Sequence, residues 1–219
     1  MKTDYSIFEL RRRADMFKPS EPKLTARDFS NWIYKLSHNP YFSHQPGAEV
    51  VAPRKSQSEP FLETDIPTIA QYISENKKDQ AYKDGWNLVY ADQGLGEDKI
   101  LLASTLRIGD QVMRCRPDAV LCHEPTGEIL ILERKIMSSW KLEGQIPSDS
   151  YPNIRAQLWC YSKIDDWSSA PKITLMDEIW RRNAISDVVS PPKNRRIWDQ
   201  QNFLISQFEE LFMKYCGLN

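Results

Sequence analysis

Apolar residues recur at helical spacing in two stretches near the start of the chain. Residues 5–17 and 25–38 read as helices, with Ser6 and Glu9, and Thr25 and Asp28, at capping-box spacing. Phe29, Trp32, Ile33 and Leu36 give the second helix an apolar face. Residues 39–62 hold Pro40, Pro46, Pro53 and Pro60 and read as irregular connection. A third helix is expected from about Asp65 to Tyr82, with Pro67 in its first turn, before a turn at Asp84-Gly85. From Trp86 the period changes. NLVYA and KILLASTL read as strands on either side of the Gly-rich turn DQGLGED. Gly109-Asp110 then joins KILLASTL to QVMRCRPDAVL as a hairpin. A second turn, Glu124 to Gly127, leads into the buried strand EILILER. Residues 152–164 suit a helix opened by Pro152. KITLMDEIW reads as a strand and SPPKNRR as a loop. A last helix is expected from near Trp198, with Phe203, Leu204, Phe208, Leu211, Phe212 and Tyr215 as its stripe and Gly217 as its stop. Helices, a strand meander, a helix, a strand and a helix make a mixed α/β domain.

Bulk properties narrow the function classes. At 219 residues and 41% hydrophobic content, the chain can build one well-packed domain rather than a disordered segment. A net charge of −1 means that any affinity for nucleic acid must come from a local basic surface. No apolar run approaches the roughly 20 residues that span a bilayer, and the first residues do not resemble a signal peptide, so a cytoplasmic protein without a membrane partner is expected. Cys115, Cys122, Cys160 and Cys216 form no CxxC pair, which argues against a zinc ribbon.

The chemistry concentrates in RCRPDAVLCHEPTGEILILERKI. Pro117-Asp118 lies in one strand-like run and Glu133-Arg134-Lys135 ends the next, with one tight turn between them. Two strands joined in this way lie side by side, so two carboxylates and one ammonium can converge at a sheet edge. Carboxylate oxygens suit hard cations such as magnesium or manganese. A lysine beside them can orient or deprotonate water, or neutralise a charged phosphate. Either tripeptide alone is a weak signal, because Glu-x-Lys is frequent and Pro-Asp is a common turn pair. In NIRAQLWCYSK, Gln157 and Tyr161 stand four apart on a predicted helix and share a face. An ordinary amphipathic helix would show the same spacing.

These motifs, in this order, resemble the PD-(D/E)xK nuclease superfamily. Gln157 and Tyr161 look like the Gln-xxx-Tyr motif of its RecB-like and CRISPR adaptation nuclease branch. The resemblance covers about residues 65 to 182. It implies a restriction-endonuclease-like mixed central sheet flanked by helices, with residues 1–62 as an N-terminal helical extension and 63–219 as the nuclease-like domain. It implies a magnesium- or manganese-dependent deoxyribonuclease with Asp118, Glu133, Lys135, Gln157 and Tyr161 as site residues. Asp118 and Glu133 would be the metal ligands and the Arg134 carbonyl an extra one. DNA is the expected partner, RNA is not excluded, and the extension is a candidate surface for a protein partner. Many relatives carry an upstream His or Glu, for which Glu75 is the best candidate here; His38, His44 and His123 are weaker ones. A lone Cys216 departs from the iron–sulfur subset.

Arg114, Arg116, Arg134, Lys141 and Arg155 flank the motif, and Arg116 is a candidate to reach a phosphate. Arg11 to Arg13, Arg181-Arg182, and Lys193 with Arg195-Arg196 are further basic clusters that could track a nucleic-acid backbone, although each such cluster alone is more often a solvated face. Trp140 and Trp159 could stack on bases, with core packing as the competing role. The contrasting functional reading is an inactive nuclease-fold module that binds nucleic acid or a protein; the intact Asp–Glu–Lys set argues against it.

Overall fold

Ser6 caps the first helix by accepting a hydrogen bond from the Glu9 amide, and α1 runs Ile7–Met16. The computed structural model describes residues 6–38, 85–92, 101–138, 149–182, 189–190 and 195–218. Thr25 opens α2, Ala26–His38, by accepting from the Asp28 amide at 3.0 Å and donating to the Asp28 carboxylate at 2.6 Å. Ser6 and Thr25 therefore both act as N-caps, while the Asp28 carboxylate accepts from the Thr25 hydroxyl and the Thr25 amide donates to the Lys23 carbonyl.

The strands are β1 Trp86–Ala91, β2 Leu102–Ile108, β3 Gln111–Cys115, β4 Ala119–His123 and β5 Glu128–Ser138. After them come α3 Pro152–Tyr161, β6 Ile173–Arg182, β7 Val189–Ser190, β8 Arg195–Asp199, α4 Phe203–Ser206 and α5 Phe208–Tyr215. β1, β4 and β5 form an antiparallel set, and β6 lies parallel to β5 after the α3 crossover. β7 and β8 both pair antiparallel with β6. β2 and β3 make a separate two-stranded sheet turned at Gly109, whose φ of 56° favours glycine. The architecture is a mixed α/β fold with helices packed on a mixed sheet.

Side chains alternate across β5. Ile129 and Ile131 face α3 and join the core with Ile154, Leu158 and Trp159, whereas Leu130 and Leu132 are buried on the other face. The core extends through α2. Phe29 packs on Trp159, Phe212 and Tyr215 at ring separations of 5.9, 5.6 and 5.3 Å, so α2, α3 and α5 share one apolar cluster. Trp159 is 1% exposed in it and is not available to stack on a base.

Three sequence expectations need correction. QVMRCRPDAVL is two strands, because Pro117 lacks an amide hydrogen and restricts Arg116, so the chain leaves the β2–β3 hairpin and crosses to the main sheet. Trp198 lies in β8 opposite Leu175 rather than in a helix; the helical segment starts after Asn202, whose side chain accepts from the Leu204 amide. Arg195 and Arg196, read as loop, belong to the same strand. The 65–82 helix lies outside the described residues, as does the boundary at residue 62.

Candidate active site

The ladder between β4 and β5 puts Ala119 opposite Leu132, which leaves Asp118 one step beyond, beside Glu133. Asp118 is pinned on both sides. Its carboxylate accepts the Arg134 amide at 2.5 Å and its carbonyl accepts the Asp92 amide at 3.0 Å. Glu133 and Lys135 follow Ile129 and Ile131 on the α3 face of β5 by strand alternation. They lie within the strand rather than at its end, because β5 continues to Ser138. The Lys135 ammonium donates to Glu133 Oε1. Glu133 is 1% exposed, and its second oxygen, Oε2, is buried without a hydrogen-bond partner among the described residues.

Burial drives the electrostatics. The Asp118 carboxyl is pushed up to about 7, first by desolvation and then by the neighbouring Glu133 charge. Glu133 is raised as well, by burial, against the opposing pull of Lys135 and of the Tyr161 hydroxyl beside it. Burial works to lower the Lys135 ammonium, but Glu133 and Asp118 outweigh it and the net direction is up. Two neighbouring carboxylates, a half-buried Asp118 and a buried Glu133 with an oxygen that lacks a hydrogen bond among the described residues, fit a divalent cation. Magnesium commonly takes one or two protein carboxylates and keeps water and substrate oxygens for the rest. Among the described residues no group of three or more His, Cys, Asp or Glu side chains is arranged to hold a metal, so the candidate set is Asp118 and Glu133.

The raised Asp118 value sets a pH dependence. Folded protein then holds this proton more tightly than unfolded chain, so metal-free stability falls as pH rises from about 4 to 7. Asp118→Asn is expected to flatten that fall and to leave the variant more stable than the parent at pH 8, but not at pH 4. Urea unfolding in EDTA at several pH values measures it; an unchanged slope in the variant rules out Asp118 as the source.

Gln157 and Tyr161 meet the site from α3. The Gln157 amide donates to the Tyr161 hydroxyl, which donates in turn to the Arg116 carbonyl at 2.7 Å. Tyr161 is buried, and burial, together with the charges of Glu133 and Asp118, pushes its hydroxyl well above the usual tyrosine range. Its position steadies the β3–β4 junction two residues before Asp118.

Several flanking candidates are placed elsewhere. Arg134 is buried on the opposite face, paired with Glu178 at 2.8 Å. Arg155 is buried between Asp149, the Leu204 carbonyl and the Phe208 ring. Arg12 and Arg13 bond Glu9, Arg11 pairs with Glu210, and Arg195 and Arg196 pair with Glu178 and Asp177. Arg195 and Arg196 are committed to buried carboxylates, which weakens that part of the basic-track expectation, whereas the Arg11 and Arg12 pairs are exposed and leave those cations at the surface. His123 ends β4 away from Asp118, where it bonds Thr126 and packs on Trp86. His44, Glu75, Trp140, Lys141 and Lys193 lie outside the described residues; of His38, Arg181 and Arg182 only the backbone is described.

Asp92 is the neighbour that sequence reading missed, because it opens what reads as a Gly-rich turn. Only the pairing of β1 with β4 brings it to Asp118. Its carboxylate pairs with Arg116 at 2.6 Å.

No protein-family model matches the sequence, and no curated protein matches it. Among solved structures, "Crystal structure of SSO0001" aligns at a TM-score of 0.39 and 10% identity, covering 97% of this chain and 86% of that one.

Proposed function

We propose that this chain is a metal-dependent deoxyribonuclease of PD-(D/E)xK type, on a restriction-endonuclease-like variant of its mixed α/β fold. The observation that carries the reading is the convergence of Asp118, Glu133 and Lys135 from adjacent strands, with a buried Glu133 oxygen left without a partner. The β1–β4–β5–β6 order with α3 across one face supports the fold assignment. Gln157 and Tyr161 beside Arg116 support the RecB-like branch.

Asp118 and Glu133 would hold a magnesium or manganese ion, which when bound polarises a phosphodiester and lowers the pKa of water. Lys135, 31% exposed at its side chain, opens from the carboxylates toward solvent, where it can orient the attacking water or offset charge on the phosphate. Tyr161 and Gln157 hold the Arg116 carbonyl and with it the approach of Asp118. The product would be a cleaved phosphodiester, with one P–O bond made by water and one broken.

The test is cleavage of plasmid and linear DNA, and of RNA, with and without magnesium or manganese. Parent protein is expected to cut DNA only with metal, and Asp118→Ala and Glu133→Ala to abolish cutting. Magnesium should raise the melting midpoint of the parent and raise it less in Asp118→Ala, because a ligand stabilises the state it binds. A folded parent that cuts neither DNA nor RNA and shows no metal-linked stabilisation leaves the inactive-module reading in its place.

A further inference from the structure

Arg116 stands apart from the arginines buried around the sheet. Arg134, Arg155, Arg195 and Arg196 are held by buried carboxylates or deep in the core. Arg116 is part-exposed, 25% at its side chain, and its ion-pair partner Asp92 is 21% exposed. The Arg116 Nε is buried without a hydrogen-bond partner among the described residues. Its backbone is fixed by the Tyr161 hydroxyl on its carbonyl, and Asp118 follows two residues later. Asp92 is fixed in the same way, since its amide donates to the Asp118 carbonyl. A planar fork thus sits on a rigid backbone two residues before Asp118, held by an acid that water also reaches.

We propose that Arg116 is the phosphate-binding residue of this site and that Asp92 is its competing latch: a DNA phosphate takes the guanidinium fork in place of Asp92. The proposal rests on the nuclease reading and adds to it the residue that engages the substrate backbone. An arginine suits the task because its fork matches two phosphate oxygens at once, which an ammonium cannot do. Asp92 keeps the fork aimed while no DNA is present, and as a part-exposed partner it is displaced at small cost. Burial, and after it Asp92, pushes the nearby Tyr90 hydroxyl up to about 12, against the opposing pull of Arg116.

The experiment is a double-mutant cycle on the full chain, with dissociation constants for a short labelled DNA duplex measured in calcium at several salt concentrations. Arg116→Ala is expected to weaken binding about 10- to 100-fold, the range for lost hydrogen bonds to a charged group. It should also reduce the slope of log Kd against log salt by about one, as for one lost phosphate contact. Arg116→Lys should keep the slope and still lose affinity, because charge survives and the fork does not; this variant carries the test if the alanine variant does not fold. Asp92→Asn is expected to tighten binding, up to about fivefold given the strength of part-exposed ion pairs. The same change in the Arg116→Ala background should do nothing. Equal tightening in both backgrounds means only a change of net charge and overturns the latch. Weaker DNA binding or a raised metal requirement in Asp92→Asn overturns it too, by making Asp92 a structural or ligand residue. A parent that cuts DNA while Arg116→Ala binds and cuts like it overturns the phosphate role and leaves the nuclease reading standing. A parent that neither binds nor cuts DNA overturns both.

Discussion

Lys135→Ala is expected to slow DNA cleavage by a factor of about 100 to 1,000, the usual cost of one lost electrostatic group at a reacting centre. The ammonium donates to Glu133 Oε1, and its net pKa direction is upward because Glu133 and Asp118 outweigh the effect of burial. It is therefore a standing positive charge at the one place where two carboxylates and a phosphate would meet. Removing it leaves both carboxylates in position, so the magnesium-linked rise in melting midpoint should persist while the rate falls. This separates the lysine from Asp118 and Glu133, whose loss should abolish cutting and also shrink the metal-linked rise. Lys135→Arg divides the two chemical roles further. A guanidinium keeps the charge but does not give up a proton, so partial activity in the arginine variant points to charge stabilisation and none points to water activation. Single-turnover cleavage rates at saturating metal make the measurement, and a Lys135→Ala rate within a few-fold of the parent would remove the lysine from the mechanism.

The largest loss of stability is expected from Glu178→Ala, about 3–5 kcal/mol, the range for removing one partner of a buried ion pair. Glu178 is fully buried on the face of the sheet away from α3. It accepts from Arg134 at 2.8 Å, from Arg195 at 2.9 Å and from the Trp180 indole at 3.1 Å. Burial works to raise its carboxyl, but the two arginines outweigh it and the net direction is down. Alanine would leave the buried Arg134 and the part-buried Arg195 without their shared counter-charge. The sign with pH follows. A lowered carboxyl contributes stability at neutral pH that is lost as pH falls through the carboxylate range, so the penalty of Glu178→Ala should shrink in acid. Urea unfolding at pH 7 and in acid measures both, and a cost below about 1 kcal/mol at pH 7 would show the network to be dispensable. The link to function runs through β5. Arg134 stands between Glu133 and Lys135, so anchoring it on one face holds the other two toward Asp118 on the opposite face. A folded Glu178→Ala protein should therefore also cut DNA more slowly than the parent.

The sequence by itself determined the elements whose cause is local. The caps at Ser6 and Thr25, the Gly109 and Glu124–Gly127 turns, and the continuous apolar run of β5 are short-range chemistry, and they appear in the structure where expected. It also placed Asp118, Glu133 and Lys135 close together, because one tight turn joins their segments and alternation puts Glu133 and Lys135 on one face. Tertiary structure decided the rest. Trp198 carries an apolar ring that suits a helix stripe or a strand equally; the free edge of β6 made it a strand. Arg134 read as a cation flanking the motif and Arg195 as part of a basic loop until the sheet register set both against Glu178. Asp92 reached the site only because β1 pairs with β4 across an inserted hairpin, and Tyr161 reached Arg116 only because α3 crosses back over the sheet. Local propensity fixes what a segment becomes. Which side chains meet depends on pairing between segments far apart in sequence, and that is settled by burying shared apolar faces and satisfying the polar groups buried with them.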